Sequence, residues 1–145
     1  MSVRENIATN VVSVISGITS PAVRKVSRQP FPLEELAQSQ YPAILVQTQQ
    51  ETKEDQELGS GAKTRLCTLE FLIQCYIKGS DSNIDTARNT LATAIETALE
   101  SDITRGGNAL DTQITEIETD AGQLFPIGAV NMTISVLYEH QSGTP

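Results

Sequence analysis

Residues 64–78 read TRLCTLEFLIQCYIK, and their alternation decides the fold class. Cys67, Leu69, Phe71, Ile73, Cys75 and Ile77 fall on one side of an extended chain, and Thr68, Glu70, Gln74 and Lys78 fall on the other. A period of two marks a strand with one face on a core and one in water. At a rise of about 3.3 Å per residue this strand is about 50 Å long. A compact chain of this size has a radius of gyration of roughly 15 Å, hence a diameter of about 38 Å. The strand must therefore bend, or carry a hairpin past the body.

Immediately before it, residues 47–64 read QTQQETKEDQELGSGAKT, following the apolar run AILV. Hairpin loops in compact domains usually hold about 2–5 residues, so residues 51–63 form an unusually long, acidic insert. GSGAKT resembles a phosphate-binding loop only superficially: Ala62 stands between Gly61 and Lys63, and a strand rather than a helix follows. The insert is instead expected to be the tip of a hairpin arm. Its candidate contact residues are Glu51, Lys53, Glu54, Asp55, Glu57 and Lys63. The bland alternative is a solvated surface loop.

The flanking elements are equally patterned. Val3, Ile7, Val11, Val14, Ile15 and Ile18 mark one face of a first helix, with Ser2 and Glu5 as a capping box and Gly17 and Pro21 as a stop. Residues 22–28 are predicted as a short strand. A single helical turn is expected at Leu33–Ala37 within a proline-rich segment, and a strand over Ala43–Gln50. Ser82 and Asp85 open a second helix with Ile84, Ala87, Leu91, Ala94, Ile95, Ala98 and Leu99 on one face. Leu110–Thr119 reads as a strand with a bulge, since Ile114 and Ile117 are out of phase with each other. Val130, Met132, Ile134, Val136 and Tyr138 alternate with polar residues in a closing strand, and residues 141–145 look like a free tail.

This order predicts a single domain over residues 1–145, of the α+β class. An antiparallel sheet of about four strands is covered on one face by two amphipathic helices and carries a long protruding hairpin. No regular alternation of strand and helix supports a doubly wound parallel fold.

Composition narrows the function. The chain has 145 residues, 39% of them hydrophobic, and a net charge of −8 from 10 basic and 18 acidic side chains. That balance argues against attraction to nucleic acid or an anionic membrane. No apolar run approaches the roughly 20 residues of a membrane span, and no signal-peptide pattern opens the chain, so a soluble protein made in a cytoplasm is expected. Cys67 and Cys75 lie about 26 Å apart along one strand, too far for a disulfide. With His140 the sole histidine, no metal site, cofactor site or Ser/His/Asp set can be assembled. Arg24, Lys25 and Arg28 form a small basic cluster, read as charges that pair with acidic neighbours, including those of a second subunit.

Taken together, the opening helix SVRENIATNVVSVI, the strand YPAILVQ, the polar insert, the strand TRLCTLEFLIQCYIKG, the helix beginning SNIDTA and the closing strand AVNMTISVLYEH resemble the tail terminator, or tail-completion, proteins of long-tailed bacteriophages. The resemblance rests on element order and texture over nearly the whole chain. It implies a non-enzymatic virion protein, assembled in the bacterial host cytoplasm as a homo-oligomeric ring, commonly a hexamer. Such a ring caps the head-proximal end of the tail tube, stops its polymerisation and presents the surface for the head connector. The implied partners are further copies of the chain, the tail tube protein, the head–tail connector and a sheath or sheath terminator, with DNA passing through unbound. Other neck and tube proteins share this texture, and a small ligand-binding domain is the alternative from a different class. A concave pocket with convergent polar groups would favour the latter.

Overall fold

The computed structural model describes residues 2–32, 36–55, 63–78, 83–120 and 127–145. Helix α1 spans Val3–Ser16 and helix α2 spans Ile84–Glu100; the strands are β1 (Lys25–Ser27), β2 (Ala43–Asp55), β3 (Thr64–Lys78), β4 (Asp111–Thr119) and β5 (Ile127–Gln141). They form one five-stranded sheet in the order β1-β2-β3-β5-β4. The α+β class and the two-helix layer are as the sequence predicts. The short strand expected over residues 22–28 is β1; it joins the sheet as a fifth strand where about four were expected, and it runs parallel to β2, so the sheet is mixed and not purely antiparallel. Three residues carry too little pattern for sequence reasoning to orient.

Helix α1 begins at the expected N-cap, with the Ser2 hydroxyl accepting from the Glu5 amide at 3.2 Å, but the Glu5 carboxylate pairs with Arg28 and does not close the second half of the capping box. It buries Ile7, Ala8, Val11 and Ile15. Ser82, the expected opener of α2, lies outside the described residues; Asn83 is the N-cap and makes no side-chain capping bond. Helix α2 buries Ile84, Leu91, Ala92, Ile95 and Leu99, and also Arg88. Arg88 is tolerated because its guanidinium reaches Asp120 at 2.5 Å and Asp85 at 2.9 Å. Where α2 crosses β5, only a glycine fits: a Cβ on Gly128 would stand 2.9 Å from Ile84 Cγ1 and 3.1 Å from Arg88 Cδ.

The core lies between the helices and one face of the sheet. Cys67, Leu69, Phe71 and Ile73 from β3 meet Met132, Ile134, Val136 and Tyr138 from β5, all fully buried. Each buried Ile, Leu or Phe contributes roughly 1.5–3 kcal/mol. The other face of the sheet is open and carries Glu54, Glu70, Glu116, Glu118 and Glu139 by register. Beyond α2, the chain turns through Arg105, Gly106 and Gly107, all at positive φ. The Arg105 guanidinium is buried and donates to the Leu99 and Asp102 carbonyls, closing the end of α2.

Two strands are longer than periodicity suggests. β2 does not stop at Gln50 but runs to Asp55, so Glu51–Asp55 are strand rather than loop. β5 accompanies β3 along its whole length, from Thr64↔Gln141 to Lys78↔Ile127. The long hairpin is therefore flanked by a third strand. β4 contains the expected irregularity: its register shifts between Ile114 and Glu116, which returns Ile117 to the face of Ile114. The single helical turn expected at Leu33–Ala37 lies largely outside the described residues, which lack 33–35; a 3₁₀ turn follows at Gln38–Gln40. Within residues 141–145, expected as a free tail, Gln141, Ser142 and Thr144 have partners: the Ser142 amide donates to the Lys63 carbonyl at 2.7 Å, and Thr144 bridges Gln141.

Candidate functional site

β2 carries a second bulge, at Gln49, and it sets the geometry of the hairpin. Ile44 and Val46 face the helices, and the register shifts between Thr48 and Gln50. The extra residue reverses the phase of the strand, so that Glu51, Lys53 and Asp55 share the helix-facing side with Cys67 and Arg65. A strand without the bulge would turn those charges to the open face.

Glu51 thereby enters a polar cluster under the start of α1. Arg4 grips it with both Nε and Nη2, at 3.2 and 2.6 Å, and the Tyr138 hydroxyl donates to Oε1. Lys53 lies 3.5 Å from its second oxygen. Burial alone would raise the Glu51 pKa, but Arg4 and Tyr138 outweigh it and hold the carboxyl below its usual range. Burial, reinforced by the Glu51 charge, pushes the Tyr138 phenol up. His140 completes the cluster: Lys53 donates to its Nε2 at 2.7 Å, and its Nδ1–H donates to the Gln141 carbonyl at 2.7 Å. These partners assign the tautomer, because an ammonium can only donate. Burial raises both thiols, Cys67 and Cys75, which are free and inert. The constellation contains acid, base and nucleophile types, yet each polar group is spent on another, and the cluster ties α1, β2 and β5 together.

Of the other candidate contact residues, Lys53 stays with Glu51 and the rest separate from it. Asp55 pairs with Arg65 at 2.6 Å and with Lys63 at 3.5 Å, at the partly exposed end of the hairpin. Glu54 is exposed on the open face, and Glu57 lies outside the described residues. Of the basic cluster, Arg28 is held by Glu5 of α1. Lys25 lies 5.4 Å over the Phe31 ring, and Arg24 is exposed. Sequence reasoning missed Arg4, Tyr138 and His140 as members of one cluster. Only pairing across three strands brings them together, and no local motif encodes that.

A cavity of about 350 Å³ is lined by Pro21, Tyr41, Pro42, Ile77, Lys78 and Leu91, among others. It is mainly apolar and offers no convergent polar set of the kind that orients a substrate. Among the described residues no group of acidic, His or Cys side chains could hold a metal. No described helix is long and apolar enough to cross a membrane.

Against known proteins, a family model described as "Bacteriophage Tail Tube Terminator Protein" matches residues 2–144. No curated protein matches. Among solved structures, a chain from the virion of a native gene transfer agent particle is similar, with 12% sequence identity and a TM-score of 0.52, over 96% of this chain and 92% of that one. At that identity the likeness speaks for the fold. The family match spans nearly every residue from which the hairpin, the polar cluster and the open sheet are built: the chain is a structural component of a phage virion and belongs to the tail tube terminator family.

Proposed function

We propose that the protein forms a homo-oligomeric ring, a hexamer, on the head-proximal end of the tail tube, where it stops tube polymerisation and presents the docking surface for the head connector. The family match over residues 2–144 carries this reading. The fold supports it in two ways. An open five-stranded sheet has two outer edges that need a neighbour, and its acidic open face suits a passage through which DNA slides without the counterion-release attraction that would hold it. The hairpin end, with Lys53, Glu54, Asp55 and Lys63, is the part of the chain that touches an adjacent subunit or the tube below. Assembly takes place in the host cytoplasm, with the tube protein, the connector and any sheath components as partners.

The test is electron microscopy of particles made without this protein. Tails of uncontrolled length and unjoined heads are expected. Tails of normal length already attached to heads would overturn the terminator reading.

A further inference from the structure

The two ends of the sheet differ in kind. At the β4 end, Glu116, Ile117 and Glu118 are consecutive and exposed, Ile117 by 42%. By register, Ile117 lies on the helix side and the two glutamates on the open side. Neither carboxylate makes an ion pair with a described residue. Leu110 and Ile103, the other large exposed apolar side chains among the described residues, precede this strand at the same end of the sheet.

At the β1 end the signs are reversed. Arg24, Lys25 and Lys78 make no ion pair with a described residue. The apolar cavity lies beside them: the amides of Arg24 and Lys25 donate to the carbonyl of Pro42, which lines it, and Lys78 lines it too. One end of the subunit therefore presents acids around an exposed isoleucine, and the opposite end presents bases beside an apolar hollow.

A surface that complements a different surface on the same molecule, at its opposite side, produces head-to-tail association, and such contacts close into a ring where the rotation between neighbours closes. We propose that the seam of the ring joins the β4 end of one copy, through Glu116, Ile117 and Glu118, to the β1 end of the next, through Arg24, Lys25 and the cavity beside Pro42. The occupant of that cavity is a second copy of this chain. This inference rests on the ring reading above and says which surfaces make the ring.

The charges provide a test in which the two sides are reversed separately. Glu116→Lys with Glu118→Lys puts bases against bases, and Arg24→Glu with Lys25→Glu puts acids against acids. Each double variant should fold: Glu116, Glu118 and Arg24 are exposed, so their changes should leave the melting temperature near wild type, and only half-buried Lys25, which lies over the Phe31 ring, should lower it slightly on substitution. Each should lose ring formation by about tenfold or more at low salt, as read by native mass spectrometry and by ring counts on tails. Mixing the two variants should restore rings, in which the two species alternate and the copy number is even. If both double variants assemble like the wild type, or if the folded variants stay apart when mixed, the seam lies elsewhere, although the ring itself still stands. A wild-type chain that is monomeric in solution and forms no ring in the particle overturns the ring reading and the seam with it.

Discussion

Tyr138 of β5 donates its phenolic hydrogen to Glu51 of β2 across the intervening strand β3, and Arg4 of α1 closes over the same carboxylate. The Glu51 side chain is only 12% exposed, whereas Arg4 is 40% exposed. A charge-assisted bond of this kind contributes more than a neutral one, about 1.5–3 kcal/mol. Much of the cost of breaking it comes from the stranded partner.

Glu51→Ala should therefore lower stability by about 2 kcal/mol, and Tyr138→Phe by about 1 kcal/mol. Urea unfolding of the two single variants and the double variant would give their coupling. Two residues sharing one bond should couple by about 0.5 kcal/mol or more. Additive losses would show that the tyrosine is held by packing alone.

The same carboxylate should shape the acid limb of the stability curve. Its native pKa lies below the unfolded value, so its contribution is complete above the ordinary glutamate range and is lost as pH falls through the lower native value. Glu51→Gln should be destabilised relative to wild type at neutral pH, and the gap should shrink on acidification below about pH 4.5. Thermal melts of both proteins from pH 7 to pH 3 would measure it. A gap that stays constant with pH would mean that Glu51 acts by shape and not by charge.

Removing one residue should do as much damage as removing the charge. Deletion of Gln49 takes out the β2 bulge and would return Glu51, Lys53 and Asp55 to the open face. The deleted chain should be less stable by about 2–4 kcal/mol, with an urea slope close to that of the wild type. Its Tyr138 hydroxyl would lack the Glu51 acceptor. A variant as stable as the wild type would show that the strand re-forms its register without the bulge.

Most of the fold was legible because burial on one face leaves a period. The alternation from Cys67 to Ile77, the helix face from Ile84 to Leu99 and the irregular spacing of Ile114 and Ile117 each encode an element through local contrast between apolar and polar residues. The continuation of β2 to Asp55 was hidden, since charged residues that pair with one another across strands look like a solvated loop in sequence. β1 was too short to declare its direction. Glu51 was legible only as an acidic residue in a polar stretch. Its neighbours Arg4, Lys53, Tyr138 and His140 come from both ends and the middle of the chain. Local propensity and patterning thus determined which segments are helix and which are strand, because those depend on residues a few positions apart. Strand order, the phase reversal at Gln49 and the joining of Glu51 to Tyr138 were decided by tertiary structure, because contacts between residues 87 positions apart exist only once β2, β3 and β5 lie side by side.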